Sequence, residues 1–579
     1  MKPFSEYITE KAIIDILCKY RARLADVRHK EYIIKALTPN ESIIIKKYAE
    51  LEELLPPRRQ WVTLNEKNRY RINSLGNKQV LASKDANIKR LKITIFKAYK
   101  DKSSENWFVN LQKFIDDVKN SIIDPAYKFT PPETIPISKG IIDDKEECRP
   151  ISIFNSLKDK VILSLANKYL TILFDSYFDE ESLAFRSSRK YHNNGNYITT
   201  HHDAIDRIME YRSRHNKKNL YVAECDMQKF YDTVCHKIIK REFNKLIKLV
   251  EQAHPEIETG TIKTLFYKYL DCYTFPKNVY KLNHSVEYWR RYSGIKNGFF
   301  GWIKEEELIS KKICKNNRGI PHLKIGIPQG GALSGLIANI VLNAADKQIR
   351  KQGGDFLYMR YCDDMILIHT NKSKCHKILK IYYNALQSLK LVPHPLSPAL
   401  HFRTSSFWKV KSKSVYHWGE LGSDWIGFVG YEIKRTGEIR IRKKSLTKEK
   451  TKIKTVTRNI CSNILRKKRL TDQSILNTIT HKLISMSVGR FALWNYRLID
   501  NEFCWITGFN RLVYNSYASV QLKDLDRVRG NAICAAKRFL KTHKAKIQIK
   551  RDAAINIIEY HGRPFSYFYH YSKNGNTID

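Results

Sequence analysis

Two adjacent carboxylates, Asp363 and Asp364, stand in the middle of YMRYCDDMILI (358–368), between two runs of strand-forming apolar residues. The pattern predicts a tight acidic turn joining two strands. Like charges this close repel, and burying them uncompensated is costly. A divalent cation makes such a pair tolerable, and oxygen-only ligands suit Mg²⁺. One turn does not supply a full two-metal site, so another acid must come from elsewhere in the chain. AECDMQKFYDTV (223–234) offers Asp226, where a buried strand ends, and Asp232 six residues later; Asp226 is the better-placed ligand. Two ions ~3.5–4 Å apart would activate a hydroxyl and stabilise a departing pyrophosphate, which is nucleotidyl transfer. The plain alternative for Asp363-Asp364 is a solvated turn.

A second segment, IGIPQGGALSGLIANIVLNAADKQI (325–349), is a Gly-rich turn feeding a helix. Glycines let a backbone approach a ligand closely, and free N–H groups at a helix start suit a phosphate or a nucleic-acid strand. An ordinary strand-to-helix turn would look the same. Around these motifs the chain reads as helical over most of 1–100, as short apolar pieces with turn residues after Asp124-Pro125, and as helix again over 154–178 and 202–215. LYVAECDM (220–227) reads as a buried strand, FLYMRY and MILIHT as a strand pair, and WIGFVGYEIKR with GEIRIRKK as a hairpin. Beyond about 445 the chain is helical and basic.

Composition narrows the partners. The 579 residues carry 103 Lys+Arg against 58 Asp+Glu, a formal charge of +45. A solvated basic face does not account for so large an excess, whereas a long nucleic-acid track does. Residues 431–470 hold 15 Lys/Arg and 3 Asp/Glu, a local +12. No apolar run approaches the ~18–20 residues that span a bilayer, and neither a signal peptide nor a lipidation box is legible. The eleven cysteines form no CxxC pair, which argues against structural zinc and a disulfide framework. The expectation is a reduced, cytoplasmic protein without a membrane partner.

Taken in order, these motifs resemble those of the reverse transcriptases, particularly the bacterial enzymes related to group II introns and retrons. CDMQKFYD is similar to their first catalytic block, GIPQGGALSG to their PQG block, YCDD to their YxDD block, and SDWIGFVGYEIKRTGEIRIRKKS to the hairpin that grips the primer. IPISKG and ECRPISI resemble the fingers strand pair, and ESLAFR an element preceding the palm. The resemblance covers roughly 130–445. It implies an α+β, right-hand polymerase with fingers, a ferredoxin-like palm and a helical basic thumb, plus an N-terminal helical extension. The boundaries expected are 1–104 for the extension, 105–205 for the fingers, 206–430 for the palm with an inserted segment at about 245–325, and 431–579 for the thumb and C-terminal helices.

The same resemblance implies roles for single residues. Asp226 and Asp363 would bind two Mg²⁺ ions (Mn²⁺ as a substitute), with the Met227 carbonyl as an added ligand and Asp364 in support. Tyr231 falls where the family places a steric gate against a ribose 2′-OH, selecting dNTP substrates; as a residue read alone it is a core aromatic. Gln329 would lie against the incoming nucleotide, and Lys139 and Arg149 would grip its triphosphate. Tyr361, Gly330, Arg440 and Arg442 would contact primer or template. Gly335 replaces a proline common in the PQG block, which is expected to loosen that helix start.

Within the family, the paired cysteines of an HNH endonuclease and the VTG and NAxxH elements of retrons are missing from this sequence. Elimination points to the unknown-group and abortive-infection enzymes, several of which act in antiphage defence with a non-coding RNA. The expected partners are an RNA template of that kind and a cDNA product, with a homo-oligomer or a second defence protein left open. The rival readings are an RNA-dependent RNA polymerase, against which Tyr231 speaks, and a catalytically silent RNA-binding or maturase-like helper. The tail SYFYHY (566–571) reads as packing, with a tyrosine hydroxyl that primes synthesis as the sharper alternative.

Overall fold

A computed structural model of the protein describes residues 2–35, 49–72, 78–81, 83–187, 189–190, 196–301, 323–397, 404–464, 472–491, 498–500, 504–513 and 515–552. The tail at 566–571 lies outside the described residues. The chain divides into two compact units. One holds Met1–Asp26, Ser42–Arg442 and Phe509–Ala518; the other holds Val27–Glu41, Lys443–Gly508 and Ser519–Asp579.

The first unit is built on a five-stranded sheet in the order Leu396–Ser397, Ser412–Trp418, Leu220–Cys225, Asp364–His369, Phe356–Tyr361. All its pairings are antiparallel except the short outermost one. The run LYVAEC works here because successive side chains alternate between faces. Leu220 and Val222 enter one core with Ile366, Ile368 and the helix His201–Arg214. Ala223 and Cys225 enter the other, with Met365, Leu367 and the helices Ser334–Arg350 and Lys372–Ser388. A sheet covered on both faces requires continuous apolar strands rather than alternating ones; MILI supplies one, and LYVAEC another broken only by Glu224, which pairs with Lys413. The architecture is α+β, as expected. His201–Arg214 starts on a capping box, in which Thr200 and Asp203 satisfy each other's end of the first turn.

Two smaller sheets flank this one. Glu133–Ile142 and Lys145–Ile153 form an antiparallel hairpin, turned by Asp143 and Asp144, both at positive φ as a tight two-residue turn demands. Trp425–Phe428, Tyr431–Lys434 and Ile439–Ile441 form a three-stranded meander. Part of the segment anticipated as an insertion folds onto the first hairpin: Phe299–Phe300 pairs parallel to Lys145–Ile153, and Tyr273, Phe275, Val279, Tyr288 and Phe300 share a small core with Cys148.

The N-terminal residues are not only helical. After the helices Glu10–Lys35 and Ala49–Glu53, Tyr70–Ile72 pairs with Lys78–Val80. Phe4, Ile13, Leu17 and Leu51 belong to the same core as Tyr169 and Leu170.

The second unit is helical among its described residues apart from a short strand pair, Arg490–Phe491 with Leu498–Asp500. Its helices include Lys443–Ile464 and Asp472–Ser487, which pack on each other, and most of Ser516–Asp552. Lys450 ion-pairs with Asp524 there. Among the described residues no helix is long and apolar enough to cross a membrane.

Candidate active site

Two neighbouring interior strands, Leu220–Cys225 and Asp364–His369, bring the acidic residues together. Cys225 stands opposite Met365 in the ladder, so Asp226 emerges from one strand end beside the Asp363-Asp364 turn that begins the other. Burial, and after it the Asp226 carboxylate, raise the proton affinity of Asp363, while Lys411 and Arg360 pull it back. Asp364 is pushed up to about 7 by desolvation in the cleft, then by Asp363 and Asp226, with Arg442 opposing. Its side chain is the most exposed of the three, so water moderates that push.

The turn itself is held from below. Cys362 takes a left-handed conformation, φ 58°, and its carbonyl accepts from Arg360 Nη1 at 2.7 Å. Arg360 is 0% exposed. Its Nε and Nη2 reach Asp346 at 2.9 and 2.6 Å, and Nη2 also donates to Ser182 Oγ at 2.7 Å. A delocalised, five-donor guanidinium suits this position because one side chain satisfies a buried carboxylate and a turn carbonyl at once.

Asp226 is anchored through its backbone. Its N–H donates to Ser412 Oγ at 3.0 Å and its carbonyl accepts from the His394 N–H at 2.9 Å. Met227 is buried and bridges to Pro393. The Asp226 Oδ2 atom lies 3.2 Å from Lys411 Nζ and 3.7 Å from His394 Nε2. Among the described residues no group of three His, Cys, Asp or Glu side chains stands assembled as a metal site. The donor set nevertheless fits a divalent cation: hard carboxylate oxygens repel one another across a strand end and draw a lysine ammonium into their midst.

A second cluster lies beside the first. Tyr231 feels the charges of Asp363, Arg149 and Arg360, and burial pushes its phenol well above the usual range. Asp232 is 1% exposed and accepts from Gln329 Nε2 at 2.7 Å. The Gln329 carbonyl accepts from Ser152 N–H at 2.8 Å, tying the glycine turn to the hairpin that carries Arg149. Gly330 sits at φ 89°, a conformation open to glycine, and a Cβ added there would lie at van der Waals distance from the Ile151 side chain and the Ser152 carbonyl of the hairpin. Lys139 and Lys229 share Glu147 Oε1 at 3.2 and 2.7 Å. Burial and Lys229 hold Lys139 below the usual lysine range, and the two ammoniums hold Glu147 below the usual carboxylate range against the opposing effect of burial.

The remaining candidates are less concentrated. Tyr361 is half-buried and its ring centroid lies 6.3 Å from that of His201. Arg442 lies close enough to act on Asp364. Arg440 instead pairs with Glu432 at 2.7 Å and stacks 3.8 Å above Trp425. Lys229, Lys411, Glu147 and Arg360 were not singled out by the motifs. Lys229 lies between Asp226 and Tyr231, Glu147 opens ECRPISI and Arg360 stands in YMRYCDDMILI, so of the four only Lys411 falls outside every motif.

Burial raises the Asp232 carboxyl from an ordinary 3.8 to about 6, against Gln329, Lys229, Lys139 and Arg149. A carboxyl that holds its proton more tightly folded than unfolded loses stability as the pH rises through that window. Asp232→Asn is therefore expected to stabilise the protein at neutral pH, by roughly 1–3 kcal/mol. The gain should fade between pH of about 6 and 3.8. Paired melting curves across that range check it; a gap independent of pH would refute it.

Sequence comparison bears on the region around the turn. Residues 284–395 match the family model for reverse transcriptase (RNA-dependent DNA polymerase). This reverse transcriptase match takes in the glycine turn, the helix after it and the Asp363-Asp364 hairpin; Asp226 and Tyr231 lie upstream of it. No curated protein matches the chain. Among solved structures, telomerase from Candida albicans in complex with a TWJ fragment of telomeric RNA is similar at 13% identity, covering 86% of this chain and 77% of that one, with a TM-score of 0.33. Apo telomerase from Candida Tropicalis is similar at 16% identity, covering 78% and 70%, with a TM-score of 0.33.

Proposed function

We propose that this protein is an RNA-directed DNA polymerase that extends a primer with dNTPs on an RNA template. The observation that carries the reading is the convergence of Asp226 with Asp363 at one strand end, inside a sheet whose turn hairpin falls in the reverse transcriptase match. Asp226 and Asp363, with the Met227 carbonyl and Asp364, would hold the two Mg²⁺ or Mn²⁺ ions. Bound there, such ions supply charge stabilisation to the attacking 3′-hydroxyl and the departing pyrophosphate.

The chain's own residues do the rest. Lys139, Arg149 and Lys229 supply positive charge for the triphosphate, Arg149 with the fork suited to phosphate oxygens. Gln329, fixed by Asp232, lies against the nucleotide, and Tyr231 excludes a 2′-hydroxyl. Tyr361, Gly330, Arg440 and Arg442 line the primer and template. In this reading 105–205 act as the fingers, 206–430 as a ferredoxin-like palm with its insertion at about 245–325, and 431–579 as a basic thumb, after an N-terminal extension over 1–104. The charge of +45 supports an RNA template and a cDNA product as partners.

Incorporation of labelled dNTP against NTP on a primed RNA tests the proposal. The wild type should use dNTP, and Tyr231→Ala should raise ribonucleotide use by at least about tenfold, the loss of a single close steric contact of roughly 1–3 kcal/mol. Equal use of both by the wild type would favour an RNA polymerase. A role in antiphage defence with a dedicated non-coding RNA is a finer proposal, supported by the elimination of intron and retron motifs. Phage challenge of cells carrying wild type or Asp363→Asn, with sequencing of the co-purified nucleic acid, tests it; equal protection by both would favour the helper reading.

A further inference from the structure

Phe185 is an aromatic residue in a costly backbone conformation and a half-open position. Its φ is 55°, in the left-handed region that bulky side chains avoid, and 49% of it is exposed. Such strain persists only where the surroundings over-determine it, and here they do. Buried Arg186 donates from Nε to Asp175 Oδ1 at 2.8 Å and from Nη1 to the carbonyls of Asp179 and Ser182 at 2.6 and 2.8 Å. Buried Asn339 donates from Nδ2 to the Ala184 carbonyl at 2.7 Å. The Leu183 N–H donates to the Arg360 carbonyl at 3.0 Å. Polar groups placed on both sides of the residue fix its backbone while its ring stays open to water.

The ring has a seat. A methyl group added to Gly335 would fall 2.5–2.8 Å from three atoms of the Phe185 ring, so the ring rests directly on the glycine at the start of the Ser334–Arg350 helix. Gly335 is therefore a fitted contact rather than a loosened helix start. The seat is also close to the chemistry. Ser182 bridges to Arg360 along the outer edge of the strand Phe356–Tyr361, which ends at the acidic turn. Phe185 thus stands beyond the edge strand, outward of the interior strands that carry Asp226 and Asp363.

We propose that Phe185 is a stacking platform for an unpaired template base waiting to enter the site. A nucleobase is the occupant that a rigid, half-exposed ring in a chain of charge +45 best fits, because every base offers a π-face whatever the sequence. The outward position suits a base that has not yet reached the reacting atoms. This inference rests on the polymerase reading above.

The test is equilibrium binding of a primer–template whose single-stranded RNA overhang carries 2-aminopurine at its first unpaired position. Phe185→Ala should weaken binding by about tenfold, in line with loss of one base–aromatic stack, and should relieve the quenching of the probe. Phe185→Leu should behave like the alanine variant, because it keeps apolar bulk but not the π-face. Phe185→Trp should restore both readouts. Gly335→Ala leaves Phe185 unchanged in type and should reproduce the loss by unseating the ring; melting curves for all four verify folding. Wild-type affinity and quenching in Phe185→Leu overturn the platform while leaving the polymerase reading intact. Failure of the wild type to bind any primer–template overturns both.

Discussion

Asp363→Asn is expected to reduce dNTP addition by about a thousandfold or more, since it removes a charge from the centre on which the proposed chemistry depends. Two further readouts make the result specific. RNA affinity should stay close to wild type, because it is spread over a large basic excess to which one acid contributes little. Thermal stability without added metal should rise. Burial and the neighbouring Asp226 raise the Asp363 carboxyl, so the ionised form costs stability above its folded pKa, and an amide removes that cost. Primer extension, filter binding and melting on one preparation check all three. Retained synthesis by the variant would sink the polymerase reading.

Arg360→Met is expected to destabilise the protein by about 3–5 kcal/mol, because it strands a buried carboxylate without its partner. Asp346 and Arg360 are both fully buried as side chains. Tyr358 Oη donates to Asp346 Oδ1 at 2.5 Å, but one hydroxyl does not replace a charged fork. Adding Asp346→Asn should recover much of the stability. It should not recover activity, because the Cys362 carbonyl, which accepts from Arg360 at 2.7 Å, still lacks its donor and the acidic turn is free to relax. Urea titrations of the two variants beside primer extension separate the effects. Recovery of both together would show that Arg360 acts on folding alone.

How much of this could be read from the sequence depends on the range of the interaction. Asp363 and Asp364 were legible because two acids between apolar strands violate local pattern and invite an explanation. Asp226 was legible because a buried strand must end somewhere, and it ends on a carboxylate. The glycine turn declared itself by composition, although what Gln329 does with Asp232 lies across 97 positions. Lys229 and Lys411 gave no signal, since one lysine among 103 Lys+Arg is unremarked until a fold sets it beside an acid. The Trp425 and Glu432 partners of Arg440 gave no signal either, because only the folded meander brings them to it. Gly335 looked like a departure because its reason, the Phe185 ring, comes from 150 residues upstream. The Tyr70–Val80 pair was hidden in a stretch whose neighbours are helical.

The bridge of Glu147 between Lys139 and Lys229 carries a consequence for substrate choice. If these lysines take the triphosphate as proposed, an incoming phosphate chain would have to outcompete a resident anion of single charge already seated between both ammoniums. A monophosphate brings at most about twice the charge of the carboxylate it would displace, whereas a triphosphate brings several times as much. On the proposed polymerase reading, the resting pair would act as a threshold that favours a triphosphate over a spent nucleotide before any base is read.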